Sequence, residues 1–169
     1  DMEKLSPMER FLRYVKIDTQ SDENTGTSPS TAKQHELAKL LAAELKEMGA
    51  KEVTYDKKHC YVYATIPATP GYEKAPVLGF ISHMDTAPAF SGNNVKPVIH
   101  EKYDGGDIIY PCGKIMKVSD FTHLSKLTGE TLITSDGTTL LGADDKAGLS
   151  IMMTLLETLV KHPELKHGP

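Results

Sequence analysis

Two stretches of this 169-residue chain carry side chains whose types and spacing could do chemistry. In Leu140-Leu141-Gly142-Ala143-Asp144-Asp145-Lys146-Ala147-Gly148, two adjacent carboxylates and a lysine stand between glycines, after an apolar strand-like run and before an apolar helix-like one. Neighbouring aspartates cannot both be buried and ionised unless a cation neutralises them. Lys146 could serve one of them, and a metal ion would do so more strongly. The second stretch is Val77-Leu78-Gly79-Phe80-Ile81, wholly apolar, which ends in Ser82-His83-Met84-Asp85. If the extended conformation continues, His83 and Asp85 share a face, because strand side chains alternate. An imidazole and a carboxylate at a strand end, with an aspartate pair at a strand-to-helix turn, form the donor set of a metal-dependent hydrolase. The plainer readings are a hydrogen-bonded rim histidine and a helix N-terminus with Asp144 as its cap. For Lys146 the plainer reading is a structural salt bridge.

The elements that must position these residues can be read in outline. Ser6-Pro7-Met8-Glu9 has the form of a capping box with proline at the first helical position. Met8, Phe11, Leu12 and Val15 follow at helical spacing, and the helix is expected to end near Ile17. Residues 18–29 read as a surface loop. Ser30 or Thr31 is expected to cap a second helix with Leu37, Leu40, Leu41, Leu45 and Met48 as its buried stripe and Gly49 just past its end. Glu52–Tyr55 and Tyr61–Ile66 suggest a hairpin. Val77–Ile81 has no polar member and predicts a central strand covered on both faces. Residues 87–130 are broken by proline and glycine, with short strands expected at 95–99 and 107–110. Thr131–Thr134 and Thr138–Leu141 predict a second hairpin turning at Asp136-Gly137. From Asp145 to His162 the chain is apolar on most faces, which predicts a helix buried under the sheet. Helices separated by strands give an α/β fold: a three-layer α/β/α sandwich around a mixed sheet.

Composition narrows the function classes. A hydrophobic content of 39%, a charged content of 25% and a net charge of −4 are those of an ordinary globular domain. The negative balance and the lack of a basic run argue against nucleic acid and against an anionic membrane as partners. The start, Asp1-Met2-Glu3-Lys4, is charged and leads into no apolar run, so no signal peptide is expected and the location is read as cytoplasmic. Cys60 and Cys112 sit in no metal spacing and read as unpaired thiols. His35-Glu36 lacks the second histidine of a zincin helix, and His59, His100, His123, His162 and His167 fall in no motif. The sequence holds no Gly-x-Ser-x-Gly elbow, no P-loop and no Gly-x-Gly-x-x-Gly.

His83-Met84-Asp85 and Gly142-Ala143-Asp144-Asp145-Lys146-Ala147-Gly148 resemble the two N-terminal signatures of the dinuclear zinc aminopeptidases and deacylases related to carboxypeptidase G2. Phe11–Ser21, Gly79–Thr86 and Thr131–Thr134 are similar, more narrowly, to the tripeptide aminopeptidases of that family. The resemblance implies that residues 1–169 are the N-terminal part of the catalytic domain. The rest of that domain and a second, lid or dimerisation, domain would then lie outside the chain. It implies two zinc ions per active site, with His83 as a ligand and Asp144 as the carboxylate bridging both. Asp85 would be the catalytic residue that takes the other ring N–H of His83, and the Asp144-Asp145 peptide bond would be cis. The family's general base belongs to a later Glu-Glu pair with no counterpart here, so these residues alone are expected to bind zinc weakly and to cleave no peptide. The implied partner is a short peptide substrate. A homo-oligomer, a related aminoacyl deacylase and a non-catalytic structural piece are the alternatives left open.

Overall fold

The computed structural model describes residues 5–169, and the charged start read above lies outside them. Three helices and six short strands follow one another: α1 (Pro7–Tyr14), α2 (Gln34–Glu47), β1 (Lys51–Asp56), β2 (Tyr61–Thr65), β3 (Val98–His100), β4 (Ile108–Ile109), β5 (Ile115–Met116), β6 (Leu132–Thr134) and α3 (Ala143–Lys161). A 3-10 helix at Thr122–Leu127 precedes β6.

Helix α1 starts as its sequence dictates. The Ser6 hydroxyl accepts from the Glu9 amide at 3.2 Å, and the Glu9 carboxylate accepts from the Ser6 amide at 2.6 Å. Helix α2 begins at Gln34, after Thr31–Lys33 has made a looser turn with no side-chain cap. Its stripe of Leu37, Leu41 and Leu45 packs with Tyr14 of α1 and with Leu149 and Met153 of α3. Val53, Val62 and Ala64 of the β1–β2 hairpin cover this cluster from the other side. Gly49 follows α2 at φ +92°, the left-handed conformation that glycine adopts without steric cost.

The strands do not join into one mixed sheet. They form three antiparallel pairs, β1–β2, β3–β6 and β4–β5. The chain is therefore mixed α/β, but the expected three-layer sandwich is not built among the described residues. The reason lies in Val77–Ile81, predicted as the central strand. No strand runs alongside it, and Val77, Leu78, Phe80 and Ile81 are 77, 69, 50 and 98% exposed. Apolar composition cannot make a strand when no neighbour takes the main-chain hydrogen bonds.

Two other expectations are corrected. Leu132–Thr134 pairs with Val98–His100 rather than with 138–141, because Asp136 and Ser135 turn the chain through side-chain bonds. Leu140 then donates to the Ser91 carbonyl at 2.8 Å. Helix α3 does not lie under a sheet but packs on α1, and Ile151 on its far face is 62% exposed. Its buried face carries polar residues that periodicity counted as neutral: Lys146, Ser150 and Glu157.

Glu157 belongs to a buried ionic cluster that joins the three helices. Arg10 of α1 donates to Glu44 of α2 at 3.1 Å and to Glu157 of α3. Arg13 reaches the other Glu44 oxygen at 2.7 Å, and the Tyr14 hydroxyl also donates to Glu44. Burial, and the bond to Glu44, raise the Tyr14 pKa. Cys60, buried beside the hairpin turn, and exposed Cys112 are free thiols.

Candidate active site

The two chemical stretches meet. The His83 ring lies between two carboxylates: Nδ1 is 3.0 Å from Asp85 Oδ1, and Nε2 is 2.9 Å from Asp144 Oδ1. Nδ1 also lies 3.0 Å from the Asp85 carbonyl, which fixes the ring against its own backbone. The site is open, with the side chains of His83, Asp85 and Asp144 51, 40 and 94% exposed. Partial burial alone would lower the His83 pKa. The hydrogen bond to Asp144 and the charge of Asp85 outweigh it, so the imidazole is held above its ordinary value.

Two neighbouring segments set this geometry. Gln20 forms an isolated parallel bridge with Thr86: Thr86 donates to the Thr19 carbonyl at 3.1 Å, and Ser21 donates to the Thr86 carbonyl at 2.9 Å. The Thr19 hydroxyl adds a bond to the Met84 carbonyl at 2.7 Å. The polar run after α1 thus begins as a buried brace for His83–Thr86, where a surface loop was expected. All four of Asp18-Thr19-Gln20-Ser21 are polar, so hydrophobic patterning holds no signal for this brace, although Thr19 is fully buried.

The second segment is the start of α3. Gly142 stands at φ +82°, and the Asp144-Asp145 bond is cis. The paired aspartates do different things. Asp144 faces His83. Asp145 turns back, accepting from the Ser82 hydroxyl at 2.5 Å and from the Gly148 amide at 3.2 Å, which caps the helical turn that follows. A side chain at Gly148 would strike the Asp145 carboxylate and come within 2.7 Å of Ser82 Oγ, so a glycine is needed there. The bond between Ser82 and Asp145, 63 residues apart and invisible to any motif spacing, docks one motif on the other.

Lys146 serves neither carboxylate. It is 1% exposed, and its ammonium donates to the Ile17 carbonyl at 2.7 Å. Burial lowers its pKa to about 8, with Asp18 opposing. The other histidines stand apart from the site: His59 pairs with Asp56, His100 with Thr134, His162 with Glu164, and His35 with Tyr55.

An imidazole nitrogen and a carboxylate oxygen are donors that zinc accepts, and the Asp144 side chain is exposed enough to offer one. A catalytic zinc takes about three protein ligands. No group of three His, Cys, Asp or Glu side chains placed to hold a metal occurs among the described residues. The donor types fit such an ion, and their number is that of a partial site.

Fold and site together define an α/β protein in which a histidine is held between two aspartates, an arrangement suited to metal ligation or to proton transfer. No protein-family model matches the chain. Individual proteins do: the chain is a relative of peptidase T. It is 53% identical over 163 residues to peptidase T of Geobacillus kaustophilus (strain HTA426), and 54% identical over 160 residues to that of Clostridium perfringens (strain 13 / Type A). Each alignment covers 95% of this chain and 39% of the relative. The chain therefore spans about two fifths of the length of the curated relatives it matches. Among solved structures it is similar to a tripeptidase from Staphylococcus aureus (TM-score 0.59, 26% identity) and to aminopeptidase PepT from Bacillus cereus (TM-score 0.61, 27% identity). Each covers 98% of this chain and 34% of the other.

Proposed function

We propose that this chain carries part of the active site of a zinc-dependent aminopeptidase that releases the N-terminal residue of tripeptides, acting in the cytoplasm. The observation that carries the reading is the His83 imidazole held by Asp85 on one side and facing Asp144 on the other. The relatives named peptidase T, tripeptidase and aminopeptidase PepT support it. In this reading His83 Nε2 and Asp144 hold zinc. When bound, the metal lowers the pKa of a water and polarises the scissile carbonyl.

This chain's own residues orient and exclude. Asp85 accepts the Nδ1–H of His83 and orients the ring; with zinc bound, Nε2 would lose the proton it shares with Asp144 and serve as the metal donor. Ser82 and Asp145 keep the two motifs together, and the Thr19–Ser21 brace holds residues 84–86 in place. Among the described residues no carboxylate beyond these stands beside His83, so the reading puts the general base in the part of the relatives that this chain does not match.

The test is a tripeptide cleavage assay on a polypeptide extended to the relatives' full length, beside its His83→Ala and Asp144→Asn variants. Zinc-dependent release of the N-terminal residue, lost in both variants, is expected. Cleavage of acylated amino acids in its place would assign the deacylase chemistry. Full activity in either variant would remove these residues from the mechanism.

A further inference from the structure

The loop of residues 86–92 begins one position after Asp85. Its Ser91 carbonyl accepts from the Leu140 amide at 2.8 Å, four positions before Asp144. The loop is therefore a second link between the two motifs, besides the Ser82–Asp145 bond. One side chain spans it. The Gln20 carboxamide donates from Nε2 to the Pro88 carbonyl at 3.1 Å and to the Phe90 carbonyl at 3.2 Å. Its Oε1 faces the Gly92 amide at 3.5 Å, the outer limit of a hydrogen bond. Two acceptors on one side and a donor on the other match a carboxamide, which a carboxylate or a thioether of the same length cannot replace. The Gln20 main chain is itself fixed: its amide donates to Asp18 Oδ1 at 3.0 Å, its carbonyl accepts from the Thr31 hydroxyl at 2.7 Å, and it bridges to Thr86. The loop closes tightly on this anchor, since a Cβ on Gly92 would lie 3.0 Å from Thr86 Oγ1 and 3.6 Å from Gln20 Cβ.

We infer that Gln20 is a positioning residue for the site, whose carboxamide holds the 86–92 loop at a fixed span and thereby sets the separation of Asp85 from Asp144 across His83. Its effect on the reaction rests on the aminopeptidase reading above; its effect on the site rests on geometry alone. His83 meets the two carboxylates at 3.0 and 2.9 Å, so a small shift of either flank breaks one contact. A misplacement of about 1 Å, made far from the chemistry, costs about a hundredfold in rate. Gln20 bonds to none of His83, Asp85 and Asp144 among the described residues, so it acts through the loop. Its loss should fall on turnover rather than on peptide binding.

Two variants test this. Gln20→Met keeps the length and removes the bonds, and Gln20→Glu keeps the shape but sets a carboxylate against two carbonyl oxygens. In the 169-residue chain, the nuclear Overhauser contact between the His83 ring and the Asp144 β-protons reads the separation. It is expected in the parent and lost in both variants, while the core contact of Tyr14 with Leu149 persists. In the polypeptide extended to the relatives' full length, kcat for a tripeptide per folded molecule should fall at least about tenfold, with KM within about twofold. A merely structural role would lower the unfolding temperature and leave that kcat unchanged. Gln20→Met, which introduces no charge, decides the matter if Gln20→Glu does not fold. A His83–Asp144 contact retained in the variants, or a parental kcat per folded molecule, would overturn the proposal. An extended parent that cleaves no peptide would overturn the aminopeptidase reading instead, and the contact in the 169-residue chain would still decide the role of Gln20.

Discussion

Lys146 Nζ donates to the main-chain carbonyl of Ile17 at 2.7 Å, so the first turn of α3 is tied to the segment that leaves α1. The ammonium is buried without a carboxylate in salt-bridge distance, and burial brings its pKa to about 8 from an ordinary 10.5. A base whose folded-state pKa is depressed binds fewer protons folded than unfolded between those two values. Stability should therefore rise as pH climbs from about 8 to 10.5. Lys146→Met keeps the volume and removes the buried charge, at the cost of leaving the Ile17 carbonyl without its donor. It should flatten that rise. Urea unfolding at pH 7, 8, 9 and 10 measures it.

The Arg10–Glu44–Glu157 cluster predicts the opposite limb. Burial alone would raise the Glu157 carboxyl, but its bonds to Lys161 and Arg10 outweigh that and hold it below the usual range. Its contribution is present above the unfolded carboxyl value near 4.5 and is lost as pH falls through the lower folded value. Glu157→Gln leaves Arg10 buried and short of a partner, which costs about 3–5 kcal/mol at pH 7. The difference from the parent should shrink under acid conditions. A Glu157→Gln protein as stable as the parent at neutral pH would contradict the cluster.

Gly148→Ala sets two effects of opposite sign against each other. Helix propensity favours alanine by up to about 1 kcal/mol. The added methyl would collide with the Asp145 carboxylate and crowd Ser82 Oγ, and overpacking of this kind costs about 1–3 kcal/mol. A net loss of stability is expected. An increase would mean that the Ser82–Asp145 contact gives way freely.

Zinc titration by calorimetry tests the half-site itself. Binding to the 169-residue chain should be weak, since only His83 and Asp144 are placed to donate. It should disappear in His83→Ala. In the extended polypeptide Asp85→Asn should weaken zinc or activity about 10–100-fold, the usual cost of losing a partner that orients a ligand. Tight zinc binding that survives His83→Ala would place the metal elsewhere.

How much of this was legible depended on whether the cause was local. The α1 cap, the Gly49 terminator and the β1–β2 hairpin depend on residues within a few positions of one another, and each stands where the sequence put it. The meeting of His83, Asp85 and Asp144 was also legible, because both motifs end apolar runs at sharp turns. Val77–Ile81 was misread because a strand is a property of two segments, and periodicity reports on only one. The second hairpin failed for a related reason: Ser135 and Asp136 offered the backbone side-chain bonds that competed with the predicted turn. The buried polar face of α3 escaped notice because Lys146 and Glu157 find their partners 129 and 147 residues away, at Ile17 and Arg10.

The two free thiols give the chain a built-in stopwatch. Cys112 is open to solvent, whereas Cys60 is 3% exposed beside the β1–β2 turn, and burial raises its pKa. Thiolate is the reacting form, so an aromatic disulfide reagent should label Cys112 at once. Cys60 must wait for the hairpin to lift from α2. The lag between the two colour changes times that local opening without any introduced probe, and its dependence on urea separates partial opening from global unfolding.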